Sequence, residues 1–457
     1  MSQQVQLPPS FLQSIRQAPG LEAAAFAEAH THIAPITSVR FHPLKPAATD
    51  LPIASGVPWC PHGQYLQYRP SFTQDPLLHA GAYYVQEASS MFVWQALEVI
   101  KHETGGRALK MLDLCAAPGG KSTLLASAGT QHLVVANEVI RQRAGILTEN
   151  LGKWGQANVV VTSNDARDFN QLPGFFDVML VDAPCSGSGL FRKDAQAVEE
   201  WSSDNVQLCS QRQQRILADA LPALAEGGYL IYSTCSYSVE ENEQVADWLV
   251  TEMGLAPVPL DPPADWHIVE TVTDHGATGY RFYPDKLQGE GFFLAVFRQQ
   301  RGTIYSTVTT GKGLPAATKA DRATAAEWLA QANENELLTF DKKLLAFPEK
   351  YQQEAGILQK SLYLRKLGVT VGEVKGKGLV PHHELAVSTC RNAGLKHLEL
   401  DKATALQFLK KKEFALPAGA PVGWVLMTYR EQGLGWAKIL PNRLNNYYPM
   451  EWRILKD

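Results

Sequence analysis

The sequence predicts an α/β fold, a doubly wound, mostly parallel sheet of Rossmann-like type with a small domain before it and a further module after it, and three observations predict this. Between Gln86 and Phe297, short apolar runs alternate with amphipathic stretches, the pattern of parallel strands joined by crossover helices. The run DLCAAPGGKS, Asp113 to Ser122, puts two glycines where a strand gives way to a helix. Two further apolar runs, DVMLVDAP and GGYLIYSTC, lead straight to Cys185 and Cys235. Ligands of open α/β sheets bind outside the carboxyl ends of the strands, so two strand-end thiols are expected to share one site. Either cysteine alone is as readily a small buried apolar residue; the flanking Pro, Gly and acidic residues favour the site.

The chain opens on a helix candidate, followed by ITSVRFHPLK and a Pro-rich stretch to Tyr68, read as a small N-terminal domain over residues 1–70. Within 71–300, strands are expected at ALKMLDLC, HLVVANE, NVVVTSND, DVMLVDAP, YLIYSTC and FFLAVFR. They are apolar almost throughout, as strands covered on both faces must be. Helices are expected at STLLASAG, RAGILTENLGKWG, the long stretch from SSDNVQLC to ALAEGG, and VEENEQVADWLVTEMG. Residues 301–320 are polar and weakly periodic, the composition of a linker. Residues 321–385 are read as a helical connecting region and 386–457 as a C-terminal domain of short strands.

With 457 residues, 45% hydrophobic and 19% charged, the chain has the length for two or three domains and the composition of a soluble globular protein. The start, MSQQVQLPPSFLQSIRQ, lacks the basic and apolar regions of a signal peptide, and no apolar run reaches the ~18 residues of a membrane span. A cytoplasmic protein without membrane contact is expected. Six cysteines without a CxxC pair are too sparse for a disulfide framework or a zinc site, so no metal is expected and free thiols are. The net charge of −4 conceals an asymmetry: residues 1–300 hold 19 Lys and Arg against 31 Asp and Glu, and residues 301–457 hold 23 against 15. A basic third on an acidic body fits a polyanion-binding module joined to an enzyme.

Glycines at 119 and 120 let backbone amides approach a ligand, and the helix start behind them favours anionic groups. The loop is neither GxGxxG nor GxxxxGK[ST], so dinucleotide and P-loop readings lack support. The next strand ends in ANE, placing Glu138 where a ribose diol is met. The third ends in SND, placing Asp165 near an adenine amino group. Each acid alone is better explained as an N-cap or loop residue. Together, at successive strand ends, they fit an adenosine-containing cofactor.

The motifs YYVQEASS, DLCAAPGGKS, ANE, VDAPCSGSGLFRKD, YSTCSYSVEENE and GEGFFLAVF, with the C-terminal LGWAKILPNRLNNYYPMEWRIL, give the chain a resemblance that covers most of its length. It resembles the Sun/Nol family of RNA cytosine-5 methyltransferases, in particular the bacterial RsmF-type enzymes that act on small-subunit ribosomal RNA. It departs at His42 and Pro43, where Asn and Thr are expected, and at Asp285, where a His is usual. The resemblance implies a class I methyltransferase sheet and a PUA-like RNA-binding domain at 386–457. S-adenosyl-L-methionine is implied as methyl donor, bound by Cys115, Ala116, Ala117, Pro118, Gly119, Gly120, Lys121, Glu138, Asp165 and Asp182. Cytosine C5 is a poor nucleophile until a thiolate adds to C6. The resemblance assigns that attack to Cys235 and the later release to Cys185. It puts Asp182 at N3, a role that asks for a protonated or proton-sharing carboxyl, for which burial is the expected cause. Lys121 is a candidate for contacting the base or for favouring the thiolate.

A DNA cytosine methyltransferase also has a Pro-Cys motif, but the additional Thr-Cys motif speaks against that class. A non-catalytic RNA-binding assembly factor would not need both thiols and Asp182, and tRNA remains an alternative substrate to ribosomal RNA. Trp424, Trp436, Tyr447, Tyr448 and Trp452 are candidates for stacking on bases, with more of them expected in the core than in contact. Lys410-Lys411-Lys412 is read as a phosphate contact or a solvated helix end. A monomer is expected.

Overall fold

The computed structural model describes residues 6–31, 36–301, 314–330, 335–441 and 443–455. The linker expected at 301–320 lies largely outside them. Six strands of the central sheet arise where the apolar runs predict them: β1 (Lys110–Asp113), β2 (Leu133–Asn137), β3 (Val159–Thr162), β4 (Phe176–Asp182), β5 (Leu224–Thr234) and β6 (Phe292–Gln299). They lie in the order β6-β5-β4-β1-β2-β3; neighbours are parallel except for antiparallel β6 beside β5. Every residue of β2 and β3 is buried, and each fully buried Val or Leu contributes on the order of 1.5–3 kcal/mol. The faces are covered by helices that include α1 (Gly120–Ser127), α2 (Arg141–Trp154), α3 (Ser203–Ala220) and α4 (Glu243–Thr251). Strand order reverses between β1 and β4, which opens a crevice at their carboxyl ends.

The N-terminal sheet holds strands Thr37–Phe41, Ile53–Gly56, Gly63–Leu66 and Tyr83–Val85. Tyr83–Val85 pairs with Thr37–Phe41, so this sheet runs past the expected boundary at residue 70. His42 is a core residue, its ring 4.2 Å from that of Trp154 and its Nε2 3.1 Å from the Trp154 carbonyl.

The stretch 321–385 differs from the helical region expected of it. It contains the helix Gln352–Ser361, but its frame is a four-stranded antiparallel sheet of Asn335–Phe340, Lys343–Pro348, Val369–Lys375 and Gly378–Pro381. The turn between the first two strands is made by Asp341 and Lys342, both at positive φ, and this hairpin chemistry was masked by the Lys-rich composition. A further strand of the region, β7 (Leu364–Leu367), pairs antiparallel with β3 and extends the central sheet. Strands His397–Glu399, Gly423–Tyr429, Gln432–Leu440 and Arg443–Asn446 form the last sheet. No described helix is long and apolar enough to cross a membrane.

Candidate active site

The crevice at the carboxyl ends of the central strands is a cavity of about 480 Å³ lined by Cys115, Glu138, Asp165, Asp182, Cys185 and Cys235 among others. A smaller neighbouring cavity of about 180 Å³ is lined by Tyr84, Gln86, Asp113, Cys115–Pro118, Gly120, Lys121 and Asp182. The sequence-predicted residues therefore converge, with Asp182 and Cys115 on both sides of the divide.

Backbone geometry explains the glycine loop. Gly119 caps α1 with φ +119°, a conformation that L side chains rarely adopt, and an added Cβ would lie 3.3 Å from Leu147. A residue not anticipated from sequence fixes this loop from outside: Arg40, fully buried on the N-terminal sheet, donates to Gln86 (2.8 Å), Ser127 (3.0 Å), Thr123 (2.5 Å) and the Gly120 carbonyl (3.2 Å). Burial brings its pKa down to about 10.

At the first strand end, Asp113 is fully buried; its Oδ2 accepts from Ser122 at 2.6 Å while its Oδ1 has no partner. Burial pushes this carboxyl up to about 7, the Ser122 hydroxyl opposing it. An acceptor left open on a cavity wall is costly unless a ligand's donor meets it. Nothing in the DLCAAPGGKS run distinguishes Asp113, because its burial and its open oxygen arise only on folding.

Glu138 is buried at the end of β2, its Oε1 accepting from the Ile140 N–H (2.9 Å) and its Oε2 facing Arg143 at 3.4 Å. Asp165 caps the short 3-10 helix Ala166–Gln171, accepting from the Arg167 N–H, with Asp168 closing a capping box. It is thus an N-cap and a cavity residue at once. Burial pushes the Cys115 thiol up, with Asp113 and Asp182 adding to the rise.

Asp182 departs from expectation. Its side chain is 34% exposed and accepts from Lys121 Nζ (2.9 Å) on Oδ2 and from Ser233 Oγ (2.8 Å) on Oδ1. Burial works to discharge Lys121, yet Asp182 foremost, then Cys235 and Asp113, hold it above the usual lysine range. Its ammonium also lies 5.2 Å from the centre of the Phe292 ring.

The two thiols meet, with Cys185 Sγ 3.2 Å from Cys235 Sγ and no disulfide between them. The hydrogen bond with Cys235, then burial, lifts Cys185 well above the ordinary thiol range. Both effects act against a thiolate at Cys185.

In the C-terminal module the aromatic candidates divide. Trp436 and Tyr448 are buried core, Trp436 donating to the His382 carbonyl at 2.9 Å. Trp452 packs edge-on against His383. Trp424 and Tyr447 pack against each other at 4.5 Å, Tyr447 is exposed, and Lys438 lies 5.5 Å from the centre of the Trp424 ring. Within the lysine run, Lys410 caps the helix Lys402–Leu409 and Lys411 donates to the carbonyls of Asn446 (3.0 Å) and Tyr448 (2.5 Å). Lys411 is a structural tie rather than a free charge for phosphate.

Family models agree with this anatomy. Residues 7–88 match the N-terminal domain of 16S rRNA methyltransferase RsmF, residues 96–298 match 16S rRNA methyltransferase RsmB/F, and residues 395–454 match the methyltransferase RsmF PUA domain. Fold, site and these matches define an RNA methyltransferase of the α/β class. Ribosomal RNA small subunit methyltransferase F of Erwinia tasmaniensis is 31% identical over 412 residues, covering 86% of this chain and 84% of that one. The protein of the same name from Aeromonas hydrophila is 33% identical over 413 residues, with the same coverage. The chain belongs to the ribosomal RNA small subunit methyltransferase F family. Among solved structures, a methyltransferase homolog from Pyrococcus horikoshii superposes with TM-score 0.51 at 28% identity, over 64% of this chain and all of that one. NSun6 from Pyrococcus horikoshii, at 19% identity, shares the fold with TM-score 0.53 over 64% of this chain and 98% of its own.

Proposed function

We propose that the chain transfers a methyl group from S-adenosyl-L-methionine to C5 of a cytosine in small-subunit (16S) ribosomal RNA, as a monomer in the cytoplasm, through a covalent bond between Cys235 and C6. The observation that carries this reading is the 3.2 Å contact between the thiols of two different strand ends. Either thiol alone is compatible with other chemistry; two on one cavity wall suit a reaction in which a base must be both attacked and released.

The residues present fit the cofactor. Asp113 leaves one buried oxygen open on the smaller cavity, suited to a ligand ammonium, while Glu138 and Asp165 on the larger one suit the ribose and adenine. Cys115 and Ala117 line both cavities. When bound, the cofactor supplies an electrophilic methyl group.

The protein's own part begins with Cys235, whose thiolate forms the S–C6 bond and pushes the ring electrons towards N3 and C5. Lys121 and Asp182, joined at 2.9 Å, share one proton network that relieves the charge at N3. After C5 is methylated, its proton passes to a water molecule and the electrons of the C5–H bond re-form the double bond as the S–C6 bond breaks, its electron pair returning to the Cys235 sulfur. Cys185, beside the leaving sulfur, assists that release. The base must expose its face to Cys235, which requires unpairing or flipping, and the C-terminal sheet offers Trp424, Tyr447 and Lys438 to single-stranded RNA.

Bisulfite sequencing of ribosomal RNA from cells with and without the protein tests the reading. One or a few protected cytosines in 16S RNA, lost with the gene and restored with it, are expected. Unchanged ribosomal RNA would leave an assembly factor, and protection moving to tRNA would change the substrate.

A further inference from the structure

One carboxylate binds the loops that carry both thiols. Glu241 follows β5 by a few residues and is completely buried. Its Oε1 accepts from the Ser186 N–H at 2.8 Å and from Gln213 Nε2 at 3.2 Å, and its Oε2 accepts from Ser186 Oγ and Ser236 Oγ, each at 2.5 Å. Ser186 is the residue after Cys185 and Ser236 the residue after Cys235. All four donors are neutral: burial pushes the Glu241 carboxyl up, and the hydrogen bonds from Ser186, Ser236 and Gln213 oppose that rise.

The surroundings are equally committed. Gln213 on α3 also donates to the Pro184 carbonyl (3.1 Å) and accepts from Tyr232 (3.0 Å), and Tyr232 reaches the Glu241 carbonyl (2.5 Å). The Gly189 N–H closes the pair by donating to the Cys235 carbonyl at 2.8 Å. A buried carboxylate raises the cost of every arrangement in which a donor is missing, so such a cluster selects one spacing of the two loops.

We propose that Glu241 is a positioning residue that fixes the Cys185 and Cys235 thiols against each other by holding the residue after each on one carboxylate. It lines neither of the two cavities described above. The inference builds on the reading of the thiols as successive actors on one base, and its consequence is a spacing that survives the change from thiol pair to covalent adduct. The negative charge also works to keep the adjacent Cys185 protonated, adding to the contact with Cys235 and to burial.

The test uses full-length protein without RNA. Phenylarsine oxide bridges two thiols on one arsenic with loss of water, and binds tightly only where the sulfurs already lie close together. Wild-type protein is expected to take up one equivalent, and Cys235→Ala none. Glu241→Gln keeps the length and one carbonyl oxygen, and should stay within about threefold of wild type. Glu241→Ala should weaken arsenical binding at least tenfold, with calorimetric affinity for S-adenosylmethionine unchanged. In methylation assays the same variant should lose kcat at least tenfold at unchanged KM for RNA, with Glu241→Gln largely restoring it. If Glu241→Ala does not fold, the double variant Ser186→Ala with Ser236→Ala removes the two hydroxyl ties and should show the same loss. Wild-type arsenical affinity in the folded variants overturns the inference whatever the methylation assay gives. Lost affinity in a protein that methylates no RNA upholds it and removes the functional reading instead.

Discussion

The carboxyl ends of β4 and β5 and the free side of β3 are built by different means. At the strand ends, side chains make the structure: two thiols, a lysine–aspartate pair and a serine–glutamate cluster. Along β3 the main chain makes it, because β7 pairs there with Leu367 opposite Val160 and Leu364 opposite Thr162. The Tyr363 carbonyl accepts from the Ser163 N–H at 3.0 Å and the Tyr363 N–H donates to Asn164 Oδ1 at 2.9 Å, beside cavity residue Asp165. The difference teaches that the C-terminal third is not an appendage to a finished enzyme. It completes the sheet whose strand ends line the larger cavity.

The largest effects are expected at the thiol end. Cys235→Ala should abolish methylation and any covalent adduct with target RNA. Cys185→Ala should allow one methyl transfer and then accumulate a protein–RNA complex that survives denaturing electrophoresis. The reverse pattern would move the nucleophile to the Pro-Cys loop and invert the roles.

The junction comes next. Lys366 on β7 is paired at 2.6 Å with Glu384, which also accepts from the Thr370 N–H at 2.8 Å. Lys366→Ala leaves a buried carboxylate unmatched and should cost about 3–5 kcal/mol, read as a fall in unfolding temperature. Replacing both partners with Met and Leu should cost much less. Burial alone would raise the Glu384 pKa, but Lys366, His382 and the Thr370 N–H bring it down to about 2. A carboxylate depressed from 4.5 to about 2 contributes stability above the unfolded value and loses it as pH falls through that window. The Tm advantage of wild type over Glu384→Gln should therefore shrink between about pH 5 and pH 2; a constant difference would mean the pair carries no titrating stability.

A smaller loss is expected at the larger cavity. Glu138→Ala should weaken S-adenosylmethionine binding by roughly 1.5–3 kcal/mol, read by calorimetry, with little change in Tm. Undiminished affinity would remove Glu138 from the site. The smallest effect belongs to the outer face of the last sheet. Lys438→Ala should lower the slope of log affinity against log salt by about 0.7 for single-stranded RNA, whereas Lys411→Ala should leave the slope unchanged, its ammonium being tied to two carbonyls. Equal slopes for both variants would assign the basic charge to solvent. Deleting residues 321–457 is a poorer experiment than it looks from composition, because it strips β7 from the sheet together with the charge.

How legible each region was in the sequence follows the same division. Cys185, Cys235, Glu138 and Asp165 could be placed at one crevice because each follows an apolar run, whereas Lys121 and Asp182 entered only through the family resemblance; all six line the two neighbouring cavities. Asp113 and Glu241 stood inside the same motifs, but their importance lies in burial and in which donors meet them, and neither is written in spacing. Burial of Asp182 was expected where an ammonium stands instead. Arg40 reads as an ordinary strand residue until folding carries it to Gly120 and Thr123. β7 was hidden most completely: LYLRKLG has no strict alternation, and its role comes from backbone groups that every residue owns. The hairpin around Asp341 and Lys342 was lost for a related reason, charged residues at positive φ being read as a helix surface.

The pairing of β7 with β3 also sets an order of events during synthesis. Thr162 leaves the ribosome about 200 residues before Leu364, so at ~5–20 residues per second β3 waits roughly 10–40 s for its neighbour. Throughout that interval a strand whose four side chains are all buried in the finished protein presents unpaired main chain at an open sheet edge, the feature through which nascent chains join one another. A cell making this protein quickly would be expected to need a chaperone over that interval, and slow translation before residue 364 would lengthen the exposure rather than relieve it.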